Sequence, residues 1–128
     1  MKFFGIAAVL AVCCLPAGAE ARSLSKTVTS GKTQQVLSYA SWGEACSPRA
    51  GTVRLVTKPQ HGKVRSRPSN LLITTARFGD TKCIGRRIPG VAIDYTPDKG
   101  FRGTDSFVVN VKYHTHLPED DTVTLTVE

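Results

Sequence analysis

From residue 20 onward, apolar and polar positions alternate in short runs, and no stretch keeps a helical repeat. Val123, Leu125 and Val127 alternate with Thr122, Thr124 and Thr126, the period of a strand with one face on a core. Phe107, Val109, Val111 and Tyr113 alternate in the same way with Ser106, Asn110 and Lys112, while Val108 adds apolar surface to the second face. Val91 and Ile93 lead into Tyr95 with the same spacing. Residues 52–56 and 63–67 alternate on either side of Lys58-Pro59-Gln60-His61-Gly62. They are expected to form a hairpin or a tightly connected strand pair with one wet face. Further strands are expected at 24–29, at 35–42 and starting at Leu71-Leu72-Ile73, with 79–87 as loop and 114–121 connecting the last two strands. Trp42 is the expected large core side chain. Seven or eight short strands separated by Gly, Pro and Asp turns predict an all-β sandwich, with a small closed barrel as the alternative.

The first residues follow a different pattern. Lys2 precedes an almost wholly apolar run at 3–15, and Ala17-Gly18-Ala19 supplies small residues at the processing positions. This reads as a signal peptide over 1–19, with a second candidate cut after Ala21. The run falls short of the ~20 residues that span a ~30 Å bilayer, so no transmembrane segment is expected after cleavage. Cys13 is preceded by Val12, bulkier than the Gly or Ala of a lipoprotein site. The expected destination is the periplasm or the exterior, and residues 20–128 suit one monomeric domain. Cys13 and Cys14 would leave with the signal. Cys46 and Cys83 then remain, and in an oxidising compartment they are expected to form one disulfide.

Charge is unevenly distributed. Between Arg49 and Arg87 the chain carries ten basic residues and one acid, Asp80. Arg54, Lys58, Lys63, Arg65, Arg67, Arg86 and Arg87 are the candidate anion-binding residues, with Arg54 and the Lys63/Arg65/Arg67 series expected along one solvent face. Suitable partners for an exported basic surface are an anionic envelope polymer, an acidic glycan or an acidic protein. Specific nucleic-acid binding is not expected, because neither a recognition helix nor an aromatic stacking platform is present.

Catalytic signals are weak. No nucleophile elbow is present, and no catalytic residue or cofactor is assigned. Asp94, Asp98 and Asp105 resemble an acid cluster, but Asp98 and Asp105 stand where turns and strand starts use Asp to accept backbone hydrogen bonds. His114 and His116, followed by Glu119, Asp120 and Asp121, form the one pattern with metal-ligand character. An exposed polar connection near the end of a strand is the preferred reading, and no metal ligand is assigned.

Two segments resemble a known group. Lys58-Pro59-Gln60-His61-Gly62-Lys63-Val64, followed by Tyr95-Thr96-Pro97, Gly100-Phe101 and Gly103-Thr104-Asp105-Ser106-Phe107, is similar to the bacterial Ig-like and cadherin-like modules of surface and exported proteins. The resemblance spans roughly residues 51–128 and implies an Ig-like Greek-key β-sandwich used for adhesion, spacing or envelope interaction. Those modules often occur in tandem, whereas one module, a Cys46/Cys83 pair and a basic middle are legible here. The leading expectation is a noncatalytic exported module that binds an anionic envelope component or protein partner. One alternative is an inhibitor or accessory subunit of an envelope enzyme, presenting 58–62 or 79–87 to a cleft; another is a small metal-binding periplasmic protein. A cationic lysozyme is a poor target, because the basic face would repel it.

Overall fold

A computed structural model of the chain describes residues 21–49, 51–76, 81–113 and 117–128. The expected signal peptide, Asp80, His114 and His116 lie outside the described residues.

Seven strands form two sheets: β1 (Ala21–Val28), β2 (Gln34–Tyr39), β3 (Thr52–Thr57), β4 (Gly62–Leu72), β5 (Arg87–Pro97), β6 (Gly103–Lys112) and β7 (Glu119–Val127). The four-stranded sheet runs β1-β7-β6-β3 and the three-stranded sheet β2-β5-β4. This is the Ig-like Greek-key β-sandwich, not a closed barrel. β1 pairs with β7 in parallel, and the other pairings are antiparallel. Among the described residues no helix is long and apolar enough to cross a membrane.

The alternating residues of β6 and β7 fill the interior as the pattern requires: Phe107, Val109, Val111, Val123, Leu125 and Val127 are all buried. Ile93 and Tyr95 of β5 and Val36, Leu37 and Tyr39 of β2 meet them from the opposite sheet. Burying a side chain of this kind contributes about 1.5–3 kcal/mol by removing its apolar area from water.

Four expectations are corrected. First, the strands flanking 58–62 are not a hairpin. β3 pairs with β6 and β4 with β5, so the connecting turn carries the chain from one sheet to the other. Alternation shows which face of a strand is apolar but not which neighbour it pairs with, and Val53, Leu55 and Val64 reach the same core from opposite layers. Second, Leu71 and Leu72 do not open a new strand; they complete the eleven-residue β4. Pro68 is tolerated within it because β4 is an edge strand. Third, Asp120 and Asp121 belong to β7 and not to the preceding connection, with Asp121 opposite Val109 of β6 and Arg22 of β1. Fourth, Trp42 lies outside the main core. β2 ends at Tyr39, and Trp42 forms an isolated bridge with Pro48 while packing on a second cluster of Cys46, Ile73, Cys83 and Ile88.

That second cluster surrounds the disulfide. Cys46 and Cys83 are bonded, with Cα atoms 5.4 Å apart, and join the loop after β2 to the loop between β4 and β5. Ile88 lies an odd number of positions from each of Val91, Ile93 and Tyr95 along β5. The cluster therefore sits on the outer face of the three-stranded sheet, where the two loops cover it.

Candidate functional site

The seven candidate anion-binding residues fall in several separate places. Lys63, Arg65 and Arg67 occupy alternate positions of β4, opposite Thr96, Asp94 and Ala92 of β5. Since Val64 and Tyr95 between them turn inward, these three share the outer face of the three-stranded sheet. Arg67 is partly neutralised there: its Nε donates to Asp94 Oδ2 at 2.6 Å, and its terminal nitrogen donates to Gln35 Oε1 at 2.9 Å. Among the described residues Lys63 and Arg65 have no ion pair.

Arg54 lies elsewhere. It stands on β3 opposite Asn110, with its neighbours Val53 and Leu55 packed against the core, so it faces out from the four-stranded sheet. The single stripe expected from sequence is thus divided between two outer faces set back to back. Lys58 is exposed in the turn that crosses between the sheets. Arg86 and Arg87 are exposed at the far end of the β4–β5 ladder, where Arg87 pairs with Leu72. Leu72 lies nine positions along β4 from Lys63, about 30 Å of extended chain.

The aspartates are more closely bound than their sequence positions reveal. Asp105 opens β6 on its inward face and is 5% exposed. Oδ1 accepts from the amides of Gln60 and Ser106 at 3.0 and 2.9 Å, and Oδ2 accepts from the His61 amide at 3.0 Å and the Tyr95 hydroxyl at 2.7 Å. The Lys58–Gly62 turn is thereby fastened to the segment that follows Tyr95. Three further contacts close the joint. The His61 ring stacks on Phe101 with centroids 4.2 Å apart, the Asp98 amide donates to the His61 carbonyl at 2.8 Å, and Gly62 lies against Tyr95. A Cβ on Gly62 would stand 2.5 Å from the Tyr95 ring, which is why this turn requires glycine. The two motif segments are therefore one structural unit at one end of the sandwich.

A second buried carboxylate marks the opposite end. Asp121, 1% exposed, opens β7 on its inward face and accepts from Arg22 Nε at 3.2 Å, Arg22 Nη2 at 2.6 Å and the Tyr39 hydroxyl at 2.6 Å. Tyr39 and Tyr95 lie in one sheet and Asp121 and Asp105 in the other, so each pair ties the two layers together. Because β6 and β7 run antiparallel, strand-opening aspartates fall at opposite ends.

These contacts set the ionisation states. Burial alone would raise the Asp105 pKa; hydrogen bonds from Tyr95 and then from the Gln60, Ser106 and His61 amides hold it below the ordinary carboxylate value. Burial first, and then the adjacent aspartate, push both Tyr39 and Tyr95 above the ordinary tyrosine range. A tyrosine whose folded pKa is raised contributes stability that is complete below its unfolded value and is lost as pH rises beyond it. Titration of phenolate absorbance is therefore expected to show Tyr39 and Tyr95 resisting ionisation above pH ~10 until the domain unfolds. Two hydroxyls ionising reversibly near that value in the folded protein would contradict this.

Among the described residues no buried side-chain nitrogen or oxygen lacks a partner, and no three His, Cys, Asp or Glu side chains form a metal-sized group. Asp94 and Asp105 do not make an acid pair. Asp94 faces outward to Arg67, whereas Asp105 faces the core.

No protein-family model and no curated protein matches this chain. Among solved structures, the solution structure of Amebosin is similar over 87% of this chain and all of that one, at 11% identity and a TM-score of 0.44. That likeness is too distant to carry a functional argument.

Proposed function

We propose that this chain is a noncatalytic exported Ig-like module that binds an anionic polymer or glycan of the bacterial envelope. The motif resemblance, the signal peptide and a periplasmic or secreted location are parts of this one reading. The observation that supports it best is the outer face of β4. Lys63, Arg65 and Arg67 project from alternate positions of an exposed edge strand, and among the described residues only Arg67 of the three forms an ion pair, with Asp94. Residues two apart on a strand are spaced ~6–7 Å, so the row presents a regular line of positive charge to an extended anion. Such a row speeds encounter with anionic partners and weakens as salt rises. The same charges, with Pro68, also protect the long β4 edge from pairing with another sheet.

The buried acids do not support catalysis, because both carboxylates are engaged as acceptors within the fold, Asp105 from four donors and Asp121 from three. Charge reversal separates a specific row from diffuse attraction. Replacing Lys63 and Arg65 with Glu is expected to weaken binding of lipopolysaccharide or heparin roughly tenfold or more at low salt. Replacing Arg54 and Arg87 with Glu changes net charge equally and is expected to have a clearly smaller effect. Equal losses in the two double variants would reduce the interaction to net charge and overturn the proposal.

A further inference from the structure

A recess of about 170 Å³ opens between the sheets at the end of the sandwich away from the His61–Phe101 joint. Its walls include Tyr39, Val53, Val91, Val111 and Tyr113, contributed by both layers and by the segment that follows β6. Among the described residues Arg49 is the one charged residue lining it. The Arg49 guanidinium lies against Gly43, where a Cβ would overlap it, and it has no ion pair among the described residues. An adjoining recess of about 150 Å³ shares Tyr39, Ser41, Val111 and Tyr113 but is bordered by Arg22, Glu119 and Asp121. Asp121 already holds Arg22 there, and Glu119 adds negative charge. The two recesses are thus electrically unlike: the first is lined by Arg49 beside apolar walls, while the second is lined by the paired Arg22 and Asp121 together with Glu119.

We propose that the Arg49 recess binds a small carboxylate whose apolar body has about six carbons. An apolar cavity of ~150 Å³ accommodates one benzene ring, so the volume sets the size of the body. The apolar walls of Val53, Val91 and Val111 take that body, while Arg49 at the lining pairs with the carboxylate through parallel N–H donors. Glu119 and Asp121 in the neighbouring recess disfavour the reverse orientation, with the carboxylate placed on their side. The recess lies between the layers and is separate from the Lys63–Arg67 row, which lies on the outer face of the three-stranded sheet. This site and the proposed polyanion site therefore stand or fall independently.

The test follows the methyl signals of Val53, Val91 and Val111 by NMR in the disulfide-bonded protein during titration with hexanoate and with hexanamide. Hexanoate is expected to give saturable shifts confined to these methyls, at least ~tenfold tighter than hexanamide, consistent with a charge-assisted pair. Arg49→Gln is expected to remove that difference while leaving hexanamide binding and the melting temperature unchanged. Gly43→Ala, which displaces the guanidinium without removing it, is expected to give an intermediate loss. The proposal is overturned if the valine methyls do not shift saturably, if hexanoate and hexanamide bind alike, or if Arg49→Gln leaves their ratio intact. Charge reversal at Lys63 and Arg65 is expected to leave hexanoate binding unchanged, whatever it does to polyanion binding.

Discussion

Replacing Asp105 with Ala is expected to lower the stability of this domain by about 3–5 kcal/mol, the range for breaking a buried charged network. The substitution removes the shared acceptor of the Gln60, His61 and Ser106 amides and the Tyr95 hydroxyl. The Tyr95 hydroxyl then stays buried without its 2.7 Å partner, and the crossing turn loses the group that fastens it. A small domain typically has ~5–15 kcal/mol of total stability, so the loss brings the variant near or below the folding threshold. Asp105→Asn keeps one acceptor oxygen but turns an amide toward the remaining donors, and is expected to lie between wild type and Asp105→Ala. Urea unfolding midpoints check the order; an Asp105→Ala loss below ~1 kcal/mol would show that water replaces the network at little cost. The contribution also depends on pH. The folded carboxyl titrates below its unfolded value, so its stabilisation is complete above the unfolded pKa and is lost as pH falls through the folded one. Acid unfolding of wild type is expected to be steeper than that of Asp105→Asn.

Removing the disulfide has the second-largest expected effect. Cys46 and Cys83 are 37 positions apart, and closing a loop of that length restricts the unfolded chain by about 4 kcal/mol in the entropic account. The bond also holds the small cluster of Cys46, Ile73, Cys83 and Ile88, which covers the outer end of the three-stranded sheet apart from the main core. Changing both cysteines to Ser is therefore expected to cost about 3–4 kcal/mol. Hydrogen exchange should accelerate most for the loop amides near this cluster, such as Ile73 and Gly85, which bond to Arg86 and Ile73 carbonyls. An unchanged urea midpoint, or loop amides near the cluster accelerated no more than those of β6 and β7, would contradict this account.

Much of the architecture is legible in the sequence because period-two alternation reports directly on burial. The inward sets of β6 and β7 follow from it, as does the shared outward face of Lys63, Arg65 and Arg67. What alternation cannot supply is the identity of a neighbour. β3 and β4 each show the right faces, yet they lie in different sheets, and that alone divides Arg54 from the β4 row. Asp105 and Asp121 continue the inward parity of their strands, but an acid at such a position reads as a turn or a strand end. Their burial becomes favourable only when Tyr95, Tyr39 and Arg22 arrive from distant segments. Trp42 misleads for a related reason. Its size points to the main core, while the end of β2 at Tyr39 directs it to the disulfide cluster.

The two motif segments illustrate the same point. Lys58–Gly62 and the stretch from Tyr95 to Phe107 are separated in sequence but meet through Asp105, His61 on Phe101, and Gly62 under Tyr95. Their residue types answer the demands of one joint: an acceptor for two turn amides, a flat partner for Phe101, and a position without a Cβ. Such a joint stabilises the sandwich.

If the motif is architecture and the β4 row is the binding surface, stability and affinity must separate by mutation. Melting temperature and lipopolysaccharide affinity, measured together for Tyr95→Phe and for the Lys63→Glu/Arg65→Glu double variant, decide the matter. The expected result is a crossed pattern: Tyr95→Phe melts several degrees lower with unchanged affinity, and the double variant keeps its melting temperature but loses affinity. Loss of affinity in folded Tyr95→Phe, with the double variant still binding, would reverse the two roles and refute this assignment.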